Sequence, residues 1–319
     1  MDIAFAFDEG YADHAQVAIE SILDTHSGDL TFWLLTTPEV AAARAQALHL
    51  QTRGRADIEL LPVDEQFRSL PASQFEPCRY ISTGMYLRLF LPDLLPQQVQ
   101  RLLYLDSDVL VNGDLGPLWE LPLGEAPLAA ARDGLARSMG FEGGIPGAGS
   151  GIRGNAPYFN SGVMMMNLPV WRRLKVTERC IEYLIEYQDR LRFPDQDALN
   201  LVCYDQWLRL KSIWNDTVLW WLKADDHVEV RRSVRITHFL GPDKPWQQGF
   251  PFTGYRDRYL ELAARVPGLP VPGSRSAESA ATPEPGRTPG PDDATVDRRR
   301  VHALLPPAPW LAPDARDGR

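Results

Sequence analysis

Over residues 1 to 133, short apolar runs alternate with segments whose apolar residues recur at helical spacing, and no other feature narrows the fold as much. Ile3 to Phe7 is apolar, Tyr11 to Leu23 carries Ala15, Ala18, Ile19 and Ile22 on one helical face, and Thr31 to Leu35 is apolar again. Pro38 suits the first turn of a helix reaching about Leu50, and Ile58 to Val63 reads as another strand. Helices of this length between strands imply parallel pairing with right-handed crossovers. The expected class is therefore an open α/β sheet. Thr83 to Phe90 then reads as helix, and Arg101 to Leu105 (RLLYL) and Leu128 to Ala131 as buried strands. After a glycine-rich loop, Phe141 to Asn155, come a strand Gly162 to Asn167, helical segments over Val170 to Leu191, and strands near Leu208 to Ile213 and Val234 to Thr237.

Composition divides the chain of 319 residues near Pro267. From there to Arg319, 11 of 53 residues are proline and seven arginines face seven acids, with hardly any apolar period. Such a stretch cannot bury enough apolar surface to offset its ordering entropy, so residues 1–266 are expected to form one domain and 267–319 a disordered tail. The tail's last part, RRRVHALLPPAPWLAP, is either a plain tail or a weak peripheral contact with an anionic membrane. No run reaches the length of a membrane span and the start lacks a signal peptide, which points to a cytoplasmic protein. Acids outnumber Lys and Arg, 42 to 33, for a net charge of -9, so bare nucleic acid is not an expected partner and any anionic ligand needs a local cation. Cys78, Cys180 and Cys203 have neither close pair spacing nor an even count, so no disulfide framework or zinc knuckle is expected.

Two Asp-x-Asp triplets occur, about what chance supplies in so acidic a chain. Asp106 and Asp108 directly follow RLLYL, where residues two apart point the same way and both carboxylates can reach one cation. Ligands of open α/β sheets settle beyond the carboxyl ends of strands, where this pair would lie. The bland alternative is a solvated strand end with a turn-forming Asp. After the strand VRIT come His238, Gly241 and Lys244: a metal-ligating imidazole, a residue that lets backbone approach an anion, and a point charge for phosphate. A single histidine is more often an ordinary half-buried one; the company of two carboxylates tips the balance. Two Asp oxygens, one His nitrogen and diphosphate oxygens suit Mn²⁺ or Mg²⁺. The clusters Tyr158 to Val163 and Asp195 to Asn200 set polar groups beside apolar segments, where each needs a partner. They serve a ligand or only cap local backbone. Trp214, Trp220 and Trp221 either stack on a sugar or form an aromatic lid.

MDIAFAFDEGYADHAQVAIESIL, STGMYLRLFLP, RLLYLDSDVLV, YFNSGVMMMNLPVWR, PDQDALN and HFLGPDKPW follow one another in an order that, over about residues 1 to 265, closely resembles glycosyltransferase family 8. These are retaining enzymes that use UDP-activated hexoses; the likeness is to the bacterial lipopolysaccharide galactosyltransferases and glucosyltransferases among them. The resemblance implies a GT-A type fold with a Rossmann-like, mostly parallel sheet, a UDP-hexose donor and a saccharide or glycolipid acceptor. It implies Mn²⁺ on Asp106, Asp108 and His238, uracil against Asp8, and the nucleotide sugar near Arg88 and Ser107. Gly241 and Lys244 fall on its diphosphate-binding positions, and Asp133, Asn160, Asp195 and Gln196 on sugar-facing ones. The chain departs from its relatives at Gly10, often Asn elsewhere, in a shorter stretch between Asn200 and His238, and in the proline-rich end. Because the amide of Gln196 is a poor nucleophile, retention is expected to proceed by same-face substitution rather than through a glycosyl-enzyme on Asp195. Three rivals stay open on sequence: a self-glucosylating glycogenin-like initiator, a sugar-nucleotide pyrophosphorylase lacking its glycine-rich loop, and a non-catalytic carbohydrate-binding protein on the same fold.

Overall fold

The computed structural model describes residues 1–63, 83–218 and 233–269. The chain opens with strand β1 (Asp2–Ala6), helix α1 (Glu9–Thr25), β2 (Thr31–Thr36), α2 (Pro38–Thr52) and β3 (Asp57–Pro62). After a 3₁₀ turn at Thr83–Tyr86 come α3 (Leu87–Leu94), β4 (Arg101–Leu105), β5 (Val109–Val111), α4 (Gly116–Trp119) and β6 (Leu128–Arg132). Then follow β7 (Phe159–Asn167), α5 (Leu168–Arg173), α6 (Val176–Glu186), α7 (Pro194–Val202), β8 (Leu208–Leu210), β9 (Asp216–Val218), β10 (Ile236–Phe239) and α8 (Thr253–Ala263). The local signals act as expected where they are strong. The Asp8 carboxylate caps α1 by accepting from the Tyr11 N–H, and Thr37 caps α2 with Pro38 in its first turn.

Seven strands form the main sheet in the order β3-β2-β1-β4-β7-β6-β8. Pairing is parallel from β3 through β4 and again between β6 and β8, so the sheet is mostly parallel. β7 alone runs antiparallel to both neighbours. It is reached from β6 by the irregular loop that includes residues 141–155, without the full helical crossover that parallel pairing needs. β7 also begins at Phe159, three residues before the apolar run suggested, which draws Asn160 and Ser161 into the sheet.

Along the central strands alternate residues face opposite layers. Ile3, Leu103, Leu105, Val163 and Met165 pack with α1 and α2, while Leu102, Tyr104, Met164 and Met166 pack with α3, α5, α6 and α7. Burial on both faces explains why these strands read as near-continuous apolar runs. Cys180 and Cys203 are buried free thiols in this second layer. No helix among the described residues is long and apolar enough to cross a membrane.

A second, three-stranded sheet, β5-β10-β9, stands beyond the end of β4. Neither β5 nor β9 announces itself in the sequence, since three-residue strands are too short to show a period. This small sheet moves the last strand later than the sequence suggests: β10 spans Ile236–Phe239, so His238 lies within it rather than after it. Residues from 270 onward, hence nearly all of the expected tail, and Cys78, Trp220 and Trp221 lie outside the described residues.

Candidate active site

The main sheet ends β4 at Leu105, and the next residues turn sharply into β5. Asp106 opens that turn at the strand exit where the sequence places the pair, and Asp108 lies within it. The Asp106 N–H donates to the Gly162 carbonyl on β7 at 2.8 Å, which fixes the start of the turn. Antiparallel pairing of β10 with β5 sets His238 opposite Val109, next to Asp108. The three candidate ligands thereby converge: one atom each from Asp106, Asp108 and His238 lie within 4.8 Å of one another. His238 Nε2 is 3.2 Å from Asp108 Oδ1 and 3.7 Å from Asp106 Oδ2. Ser107 sits between the acids, buried, with its hydroxyl unpartnered among the described residues.

Lys244 completes this end of the site. Its ammonium lies 2.6 Å from Asp108 Oδ2 and also donates to the Phe239 carbonyl. Burial works to raise the Asp108 carboxyl, but the Lys244 ammonium and His238 win and hold it well below the ordinary carboxylate range. Asp108 is thus a carboxylate throughout the useful pH range. Gly241, in the turn that carries Lys244, has φ +86°, a conformation that favours glycine.

The ring of His238 is oriented from behind. Its Nδ1 is 3.0 Å from Asn215 Oδ1, and Asn215 Nδ2 donates to Asn160 Oδ1 at 2.8 Å. If Nδ1 carries the proton, Nε2 is left with a free lone pair facing the two acids, the arrangement metal-ligating histidines commonly show. Gly162 makes room for this: a Cβ there would fall 2.3 Å from His238 Cε1 and 2.5 Å from Asp106 Oδ2.

The expected sugar-facing residues form one hydrogen-bonded network. Asn160 Nδ2 and Gln196 Nε2 both donate to Asp133 Oδ2, at 2.9 and 3.2 Å, while Asp133 Oδ1 accepts from the N–H groups of Leu135 and Ala136. Gln196 Oε1 accepts from the Ser161 N–H at 2.9 Å. Asp195 is held by the Ser161 hydroxyl at 3.1 Å and Arg88 Nε at 3.3 Å. Burial pushes the Asp195 carboxyl up against the opposing pull of Arg88. Arg88 joins the two halves of the site, since its Nη2 is 2.9 Å from Asp106 Oδ1, which the Tyr104 hydroxyl also meets at 2.7 Å.

Of the predicted residues, eleven lie in or beside this cluster. Asp8 stands apart: it caps α1 beyond the end of β1, which pairs with β4, and its carboxylate accepts from the Tyr11 N–H. The Asp195-to-Asn200 motif divides in two. Asp195 and Gln196 face the cluster, but Asp197 is a core residue, wholly buried between Arg192 and the Tyr158 hydroxyl, and Asn200 brackets the backbone of Phe159. Sequence reasoning passed over Asn215 and assigned no role to Tyr104 or Gly162. Asn215 sits in KSIWNDTV, which has no distinguishing pattern, whereas the strand context of Gly162 is a usable sign of close backbone approach.

Comparison with known proteins agrees with this geometry. The family model "Glycosyl transferase family 8" matches residues 2–249. General stress protein A of Bacillus subtilis is 33% identical over 193 residues, 57% of this chain and 65% of that protein. The lipopolysaccharide 1,2-glucosyltransferase of Escherichia coli is 28% identical over 256 residues, 78% of this chain and 73% of that one. Among solved structures, the galactosyltransferase LgtC in complex with donor and acceptor sugar analogues superposes with a TM-score of 0.68 at 30% identity, covering 85% of this chain and 98% of its own. The fold is accordingly the GT-A fold. With the matched model spanning both sheets and every residue of the cluster, the chain belongs to glycosyl transferase family 8.

Proposed function

We propose that the protein transfers a hexose, galactose or glucose, from its UDP-activated form to a saccharide acceptor with retention at the anomeric carbon, in a Mn²⁺-dependent reaction. The convergence of Asp106, Asp108 and His238, with Lys244 on the same carboxylate, is the observation that carries the reading. Relatives named for lipopolysaccharide glucosyl transfer support a cell-surface glycan as the product.

The donor set fits a divalent cation. Two carboxylates and an imidazole are hard to borderline ligands, and the glycine at 162 keeps the space among them open. Such a cation, when bound, supplies Lewis-acid stabilisation of the charge that develops on the leaving diphosphate. The protein's own part is positional. Lys244 exchanges its contact with Asp108 for phosphate oxygens and, with the Gly241 turn, holds the diphosphate. Arg88 keeps Asp106 aimed at the metal site while holding Asp195 behind the sugar side.

Gln196 and Asp133 present fixed dipoles to the hexose. Asp195 is engaged by Arg88 and Ser161, which favours same-face substitution, with the departing phosphate accepting the acceptor's proton, over attack by this carboxylate. Asp106→Ala or Asp108→Ala abolishes Mn²⁺-dependent UDP release while leaving the circular dichroism spectrum unchanged. Near wild-type release from either variant would overturn the assignment.

A further inference from the structure

A cavity of about 470 Å³ opens beside the sugar-side network, at the carboxyl ends of β6 and β8, and falls in the size range of small-molecule sites. Four cationic side chains line it, Arg132, Arg137, Arg209 and Lys211, against two carboxylates, Asp133 and Asp216. Asp133 keeps its charge, although four neutral donors occupy its oxygens, so cationic side chains outnumber carboxylates in the lining by four to two. None of the four cations forms an ion pair with a carboxylate among the described residues; Arg132 donates only to the Arg137 carbonyl. Elsewhere some arginines of this acidic chain do find carboxylate partners, as Arg258 and Arg265 do with Asp24 and Glu261. This cationic excess around one concavity leaves repulsion among like charges, and an anion entering it relieves that repulsion.

The pocket's position decides which substrate brings the anion. Asn215 lines it and touches His238 through Nδ1, whereas Asp106, Asp108 and Lys244 gather at Nε2. No residue of the proposed diphosphate end lines the cavity, and Asp133, which binds Gln196 and Asn160, does. We infer that the acceptor is an anionic saccharide, bearing a phosphate or a carboxylate that this basic pocket holds beside the hexose site. The inference rests on the glycosyl-transfer reading and names its acceptor class.

The test separates the two. Glucose 6-phosphate, glucuronate and glucose are titrated into the full chain and into the triple variant Arg137→Gln, Arg209→Gln, Lys211→Gln, with binding followed by ligand NMR. Charge-assisted hydrogen bonds predict that one or both anionic probes bind at least about tenfold more tightly than glucose, with the preference lost in the variant and fading with salt. The phosphate and carboxylate arms tell the two anions apart. In transfer assays the better-bound anion is also the better acceptor, while UDP release without acceptor is unchanged in the variant. Equal binding of charged and neutral probes, a preference that survives the triple substitution, or weakened UDP affinity in the variant would each overturn the inference. Absence of UDP release from the wild type would instead defeat the transferase reading, and the binding arm still decides whether the pocket takes anions.

Discussion

Gly162→Ala isolates the role of empty space in the site. Gly162 lies in the middle of a buried strand, and its backbone is not in the left-handed region, so alanine is conformationally acceptable there. The obstacle is room. The new methyl carbon would stand 2.3 Å from His238 Cε1 and 2.5 Å from Asp106 Oδ2. Ordinary carbon contacts are about 3.5–4.0 Å, so one or both ligands must retreat by roughly 1 Å. Neither does so easily. His238 is 1% exposed and tied to Asn215, and Asp106 is gripped by Tyr104 and Arg88 while its own amide bonds the carbonyl of residue 162. Overpacking of this kind costs about 1–3 kcal/mol of stability. A ligand displaced by about 1 Å costs on the order of 10²-fold in rate. Urea unfolding should therefore show a modestly weakened but folded protein, electron paramagnetic resonance a marked loss of Mn²⁺ affinity, and UDP release a fall of about that size. A variant that binds Mn²⁺ as the wild type does and turns over at the wild-type rate would refute the claim that this glycine makes room for the metal ligands.

Asn215→Ala removes the group that orients the His238 ring, and Mn²⁺ affinity should fall about 10- to 100-fold, as for other outer-shell partners, with little change in melting temperature. Arg192→Met strands the Asp197 carboxylate, which is 0% exposed, and should cost about 3–5 kcal/mol in urea unfolding. The double variant Arg192→Met, Asp197→Leu should recover much of that loss, and failure to do so would mean the pair is needed for more than charge balance. His14 tests acid stability. Burial lowers its pKa from 6.5 to about 3, with Asp108 opposing, while the ring stacks on Trp246 at 3.5 Å and meets the Tyr259 hydroxyl at 2.6 Å. Below pH 6.5 the unfolded chain takes up a proton that the folded one refuses, so this contribution is whole above 6.5 and is lost as the pH falls toward 3. His14→Gln should flatten the stability profile in that window; an unchanged slope would contradict it.

The parts of the fold that were legible from residues alone are those where one local force dominates. Short apolar runs such as Ile3 to Phe7 and RLLYL, set between helical segments, read as strands buried on both faces, and Asp8, Thr37 and Pro38 mark helix starts by hydrogen-bonding rules that need no tertiary context. The chemistry was equally readable as residue types, because a metal and a diphosphate demand carboxylates, an imidazole and a cation whatever the scaffold. The order of the motifs then identified the family before any contact was known.

What the chain could not disclose along its own length is which distant groups meet. Asp106 and His238 are 132 positions apart, and the pairing that joins their neighbourhoods involves strands of three and four residues, too short to carry a period. Asn215 acquires its role only because β9 lies beside β10, and Asp195 and Asp197, alike in the motif, part company because successive side chains on α7 face different surroundings. The basic cavity likewise exists only where the ends of β6 and β8 come together, gathering cations that are scattered from Arg132 to Lys211. Secondary structure and residue chemistry follow from short-range forces, which a sequence displays directly; coordination, orientation and substrate selection depend on long-range strand pairing, which exists only in the folded protein.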